Sequence, residues 1–149
     1  MDKIIIYCDG ACSGNQFDEN IGGWGAVLKY GNKQKEIFGG KINTTNQRME
    51  LLSCIKAFES LSLYNIPTEV YSDSQYLIKG MNEWIDNWVK KGWRTSQKKI
   101  VENKDLWEQL LSFKNEFKDI KFIHVKGHMG NELNELADQL AQRGIDELR

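Results

Sequence analysis

Between residues 46 and 63 the spacing of apolar side chains changes, and that change limits the folds open to this chain. Before it, residues 3–9 (KIIIYCD), 24–30 (WGAVLKY) and 33–41 have the β-branched and aromatic character of strands, with a tight-turn signal at Gly31-Asn32. Within it, Leu51, Leu52, Ile55, Phe58 and Leu61 recur at helical spacing, with Thr44 or Thr45 available as the cap. After it, residues 69–73 (EVYSD) read as a strand again. A helix between a third and a fourth strand is a crossover, which can lay the fourth strand parallel to the first.

The remainder extends this pattern. Residues 74–80 read as a helical turn closing at Gly80, and 82–91 and 104–117 carry helical spacing on either side of a basic segment containing Gly92. A last strand at 120–125 (IKFIHV) leads through a glycine loop at 127–130 into a helix from Glu132 to Arg143, with Gly144 expected to end it. Asp9-Gly10-Ala11 reads as the turn that ends the first strand, and 13–23 as a polar, glycine-rich loop. The expected fold is α/β, a mixed five-stranded sheet with helices on its faces. The 149 residues fit one domain, without linker, repeat or low-complexity tract.

Composition excludes several classes. At 40% hydrophobic and 28% charged residues the chain can bury a core and is not a disordered protein. No apolar run approaches the roughly 20 residues that a membrane span needs. Asp2 and Asp9 bracket the short run Ile4-Ile5-Ile6-Tyr7, unlike a secretory signal. Three cysteines (Cys8, Cys12, Cys54) without CxxC spacing fit neither a disulfide framework nor a zinc site, and the expectation is a cytoplasmic protein with Cys8 and Cys54 in its core.

The net charge of −1 conceals a division. Between Trp84 and Lys104 stand Lys90, Lys91, Arg94, Lys98, Lys99 and Lys104 against Asp86 and Glu102, a surplus of +4 that leaves −5 for the rest. One surface suited to a polyanion and another suited to cations are therefore expected.

Several carboxylates stand where carboxylates are costly. Asp9 ends an apolar strand in the same alternation as Ile5 and Tyr7, and Asp73 similarly ends Val70-Tyr71-Ser72. If those strands are neighbours, both acids lie at the carboxyl ends of the sheet, where ligands of open α/β sheets gather. Either alone reads equally as a turn former or helix cap. Glu50 shares a helical face with Cys54, Ala57 and Leu61, where an unpaired carboxylate is expensive. Asp138 lies one helical turn beyond Asn134, at the rim of the stripe Leu133-Leu136-Ala137-Leu140. Converging, these four oxygen donors without Cys or His companions suit Mg²⁺ or Mn²⁺ rather than zinc.

Five ordered blocks carry a family likeness: Tyr7-Cys-Asp-Gly-Ala-Cys-Ser-Gly-Asn15, Thr44-Thr-Asn-Gln-Arg-Met-Glu-Leu51, Ser72-Asp-Ser-Gln75, Trp84-Ile-Asp-Asn-Trp88 with Lys91-Gly-Trp93, and His124-Val-Lys-Gly-His128 through Asn134-Glu135 to Asp138. In these the chain resembles the bacterial type 1 ribonucleases H over nearly its whole length. The resemblance implies a sheet of order 3-2-1-4-5, three antiparallel strands followed by two parallel ones, in a single domain 1–149 with a basic protrusion at about 84–104. It implies that Asp9, Glu50, Asp73 and Asp138 hold metal, two Mg²⁺ (or Mn²⁺) ions with substrate bound, with Asp9 as the bridging ligand. His128 would assist proton transfer or product departure.

The resemblance also implies that Asn15, Asn46 and Gln75 approach the RNA strand in the minor groove, and that Thr45 with Asn15 holds a phosphate of the DNA strand. Trp84, Trp88, Lys90, Lys91, Lys98 and Lys99 would grip an RNA–DNA hybrid along the protrusion. Gln16 stands where the family often has proline. The implied activity is endonucleolytic hydrolysis of the RNA strand of RNA–DNA hybrids, largely independent of sequence, by a monomer without membrane attachment. Two alternatives remain open at this point: a non-catalytic module binding hybrid or double-stranded RNA, and another metal nuclease of the same fold. Four intact acids argue against the first, because a binder has no use for a repulsive pocket.

Overall fold

A computed structural model describes residues 2–14, 20–127 and 131–149. Five strands form one sheet: β1 (Ile4–Ser13), β2 (Ile21–Tyr30), β3 (Lys33–Ile42), β4 (Thr68–Ser72) and β5 (Ile120–His124). Their order is β3-β2-β1-β4-β5, with β1, β2 and β3 antiparallel and with β4 and β5 parallel to β1. The expected order and directions are those found. The crossover helix α1 (Asn46–Glu59) makes the parallel arrangement possible.

Alternation along β1 decides which side chains meet which helices. Ile4, Ile6 and Cys8 belong to the larger core, with Leu51, Cys54, Ile55 and Phe58 of α1. That core also takes in Trp107 and Leu110 of α4 (Lys104–Glu116), both fully buried. Cys8 and Cys54 are buried as expected. The odd-numbered residues of β1 face the other side, which α5 (Glu132–Glu147) covers with Ala137 and Leu140 over Val27. On this side Tyr7 and Tyr71, partners in the β1–β4 register, stack with ring centroids 4.8 Å apart.

Four boundaries differ from expectation, each for a packing reason. β1 does not turn at Asp9-Gly10-Ala11 but continues to Ser13, paired with Ile21–Trp24 of β2. Gly10 looks like a turn signal because the backbone of the crossover helix presses on the sheet there. Helix α1 stops at Glu59 rather than 63: the Ser60 backbone amide and the Tyr64 hydroxyl take up the last carbonyls, the latter donating to Phe58 O at 2.9 Å. Gly80 does not close a turn. It sits in a continuous run from α2 (Gln75–Lys79) through a π-helical turn (Gly80–Trp84) into α3 (Ile85–Lys90), pressed against the Trp107 ring.

Gly144, finally, lies inside α5, which runs on to Glu147. A β-carbon at Gly144 would come 2.0 Å from the carbonyl oxygen of Gly39, so glycine marks the closest approach of helix and sheet rather than a helix end. No helix among the described residues is long and apolar enough to cross a membrane.

Candidate active site

The stacked pair Tyr7–Tyr71 fixes the origin of the site. One step of two residues along each strand leads from these rings to Asp9 and Asp73, at the point where β1 and β4 part: their pairing ends at Tyr7 and Tyr71. Glu50 joins them from α1, which can approach only because residue 10 is glycine. A β-carbon there would stand 2.3 Å from Met49 C and 2.4 Å from Glu50 N. One carboxylate oxygen from each of Asp9, Glu50 and Asp73 lies within 4.8 Å of the others. Asp138, on α5, comes close enough to Asp9 for its negative charge to be felt there.

Among the described residues no lysine or arginine pairs with any of the four acids; the ion pairs present are Lys3–Glu69, Arg48–Asp105, Lys56–Glu59 and Arg149–Asp146. The electrostatic consequence is large. Asp9, only 6% exposed, is pushed from 3.8 up to about 9, first by burial, then by Asp73 and Asp138, with the Gly10 N–H (2.9 Å) opposing. Burial also raises Glu50, with Asp73 adding to it, while a hydrogen bond from the Ser74 hydroxyl lowers it. Ser74 is in turn the cap of α2, accepting from Leu77 N at 3.1 Å. On its other side, Asn134 Nδ2 donates to Asp73 Oδ2 at 3.5 Å.

Uncompensated, mutually repelling carboxylates with only oxygen donors fit a hard divalent cation, whose charge would relieve the repulsion. The residues present can therefore hold such an ion.

The other anticipated residues fall around this cluster. Thr45 caps α1, accepting from Arg48 N at 3.1 Å, and Asn46 opens the helix; both are exposed. Gln75, exposed, opens α2. Trp84 and Trp88 are half-buried, 5.8 Å apart, and Trp88 packs on Trp107 at 5.2 Å. Lys90, Lys91, Lys98 and Lys99 are exposed on the segment beyond. Here Thr95 N donates to Lys99 O at 2.7 Å and Arg94 and Ile100 form a short bridge. Asn15 and His128 lie outside the described residues.

Sequence reasoning missed Ser74, Asn134 and the clamp at Arg48. Arg48 binds Asp105 through both terminal nitrogens (3.0 and 2.7 Å) and reaches Asn103 Oδ1 at 3.2 Å. Asn103 donates in turn to Tyr76 Oη at 3.0 Å, linking α1 to the base of the protrusion. Ser74 carried a usable signal, a serine at the first position of the expected helical turn 74–80. The clamp carried none, since its partners lie 57 positions apart.

Fold and cluster define a class: an α/β domain presenting a carboxylate cage for a hard divalent cation where two strands of a mixed sheet diverge. Comparison with known proteins narrows it, for the RNase H family model matches residues 1–146. The chain belongs to the ribonuclease H family.

It is 48% identical over 147 residues to the ribonuclease H of Chromobacterium violaceum, covering 97% of this chain and 96% of that protein. It is 50% identical to that of Hahella chejuensis, covering 99% and 96%. Among solved structures it is similar to LC9-RNase H1, a type 1 RNase H with the type 2 active-site motif. The TM-score there is 0.87 and the identity 28%, over 99% of this chain and 74% of that one. LC11-RNase H1, solved in complex with an RNA/DNA hybrid, shares the fold with a TM-score of 0.74 at 24% identity, over 98% and 99%.

Proposed function

We propose that this chain is an endoribonuclease that hydrolyses the RNA strand of RNA–DNA hybrids, leaving 5′-phosphate and 3′-hydroxyl ends with little regard to sequence. The observation that carries this reading is the meeting of Asp9, Glu50 and Asp73 within 4.8 Å, uncompensated by any described cation. Membership of the ribonuclease H family supports it, as does the hybrid bound by the similarly folded LC11-RNase H1. Asp9, Glu50, Asp73 and Asp138 would hold the divalent cations, Mg²⁺ or Mn²⁺, with Asp9 as the central ligand. When bound, the cations supply an activated water and neutralise charge on the leaving oxygen.

The chain's own groups do the rest. Thr45 Oγ1 already accepts the Arg48 amide, so its proton is free for a phosphate oxygen of the DNA strand, with Asn15 alongside. The amides of Asn46 and Gln75 can both donate to and accept from a ribose 2′-hydroxyl, which DNA lacks. Trp84 and Trp88 stiffen the base of the protrusion, from which Lys90, Lys91, Lys98 and Lys99 track phosphates without reading bases. His128 moves a proton or hastens product departure. The working unit is one domain, residues 1–149, acting as a monomer in the cytoplasm.

Labelled RNA–DNA hybrid, RNA duplex and DNA duplex, each incubated with Mg²⁺, Mn²⁺ or EDTA, test the proposal. Cleavage confined to the RNA of the hybrid and abolished by EDTA is expected. Cleavage of DNA, or binding of the hybrid without any cleavage in either metal, overturns it.

A further inference from the structure

Asn134 has a place in the cluster that its neighbours do not explain. It is the third residue of α5, one turn before Asp138, and 3% exposed. Its Nδ2 donates to Asp73 Oδ2 at 3.5 Å, an oxygen bounded on another side by Gly127, where a β-carbon would come within 3.1 Å. Its own Oδ1 is buried and has no hydrogen-bond partner among the described residues. A buried amide oxygen left unpaired costs free energy, and a well-packed apolar side chain would avoid that cost.

Fastening of the helix does not account for the residue. Asn131 Oδ1 caps α5 by accepting from Asn134 N at 3.1 Å, and Asn131 Nδ2 ties the helix start to Tyr7 Oη at 3.2 Å. Both bonds use Asn131's side chain and leave the Asn134 side chain without a capping role. It is aimed instead at Asp73, on the helix face that carries Asp138.

We infer that Asn134 is a positioning residue for the metal centre: its Nδ2 holds Asp73 in one orientation toward Asp9 and Glu50, and its Oδ1 accepts from a water carried by the bound divalent cation. The inference rests on the metal-dependent reading given above. Partners of this kind orient ligands without touching the metal, and their loss weakens metal affinity or activity by about 10–100-fold.

The test uses Asn134→Ala and the similarly sized, apolar Asn134→Leu, with Asn131→Ala as a control for helix fastening. Calorimetric titration with Mn²⁺, metal-free melting curves and Mg²⁺-dependent hybrid cleavage are measured for each. Both Asn134 variants should bind Mn²⁺ about 10–100-fold more weakly and need correspondingly more Mg²⁺ for half-maximal cleavage. Their metal-free Tm should be unchanged or higher, and their hybrid KM at saturating metal unchanged. Asn131→Ala should lower Tm while keeping Mn²⁺ affinity within about twofold, because it removes a cap and leaves the ligands untouched. Mn²⁺ affinity within twofold of the parent in both Asn134 variants, or weakened only in step with Tm, overturns the inference. A parent chain that binds no Mn²⁺ overturns the functional proposal itself, and this inference with it.

Discussion

Ser74 donates its hydroxyl proton to Glu50 while the same oxygen caps α2, so one side chain joins a carboxylate of the acidic cluster to the helix that begins with Gln75. Replacing it removes both bonds. Ser74→Ala should lower kcat by about tenfold, in the range seen when a ligand's supporting hydrogen bond is removed. It should also destabilise the fold by about 1 kcal/mol through the missing cap. The Ser74 bond opposes the upward shift of Glu50, so its loss should move the acidic limb of the pH–rate profile to higher pH. An unmoved limb with lowered Tm would leave Ser74 a cap only.

Asp9 makes stability depend on pH in a definite direction. Its carboxyl is pushed from 3.8 to about 9 in the metal-free fold, so the folded chain holds this proton more tightly than the unfolded chain. The associated stability is complete below about pH 4 and is lost as pH rises through about 9. Asp9→Asn should abolish cleavage, flatten this dependence and melt several degrees above the parent at pH 8 in EDTA. Mg²⁺ should raise the parent's Tm and leave that of the variant nearly unchanged. Parallel pH–stability curves for the two proteins would refute the assignment.

Lys90, Lys91 and Lys98 are exposed on the basic segment. Changing all three to alanine should raise the hybrid KM on the order of tenfold at moderate salt, with kcat retained. The log–log dependence of binding on salt should become shallower by up to roughly 0.9 for each phosphate that is no longer neutralised. Equal salt slopes would show that the segment does not meet phosphate.

At Gly144 two effects compete. Alanine is favoured over glycine inside a helix by about 1 kcal/mol, whereas its β-carbon would overlap Gly39 O, approaching to 2.0 Å. Backbone cannot yield as a side-chain tip does, and overpacking of this kind costs about 1–3 kcal/mol. Sterics should win by up to about 2 kcal/mol: Gly144→Ala should lower Tm by up to roughly 8 °C at about 2–4 °C per kcal/mol. Measured kcat should fall too, since α5 carries Asp138. A raised Tm would mean that the helix lifts off the sheet freely.

These cases also mark what could be read from residues alone. Period and order carried the strands and the crossover, and marked the carboxylates as costly where they stand, because burial of alternating or three-and-four-spaced side chains is a local property of the chain. Gly10, Gly80 and Gly144 read as punctuation because a sequence does not distinguish a glycine that bends from a glycine that makes room. At each, the deciding atom belongs to a distant segment: Met49, Trp107 and Gly39 respectively. Ser74 and Asn134 were missed for a related reason, since each matters only through a carboxylate brought to it by folding.

The parting of β1 from β4 after Tyr7 and Tyr71 has a consequence for how such a protein can change. Main chain, rather than surface loops, sets the address of Asp9 and Asp73, and a notch in the sheet cannot be widened by lengthening a loop. If the proposed function holds, insertions or exchanges in the protrusion or the connecting segments should therefore alter which duplex is gripped, and how firmly, while the position of the cut relative to the sheet stays where it is.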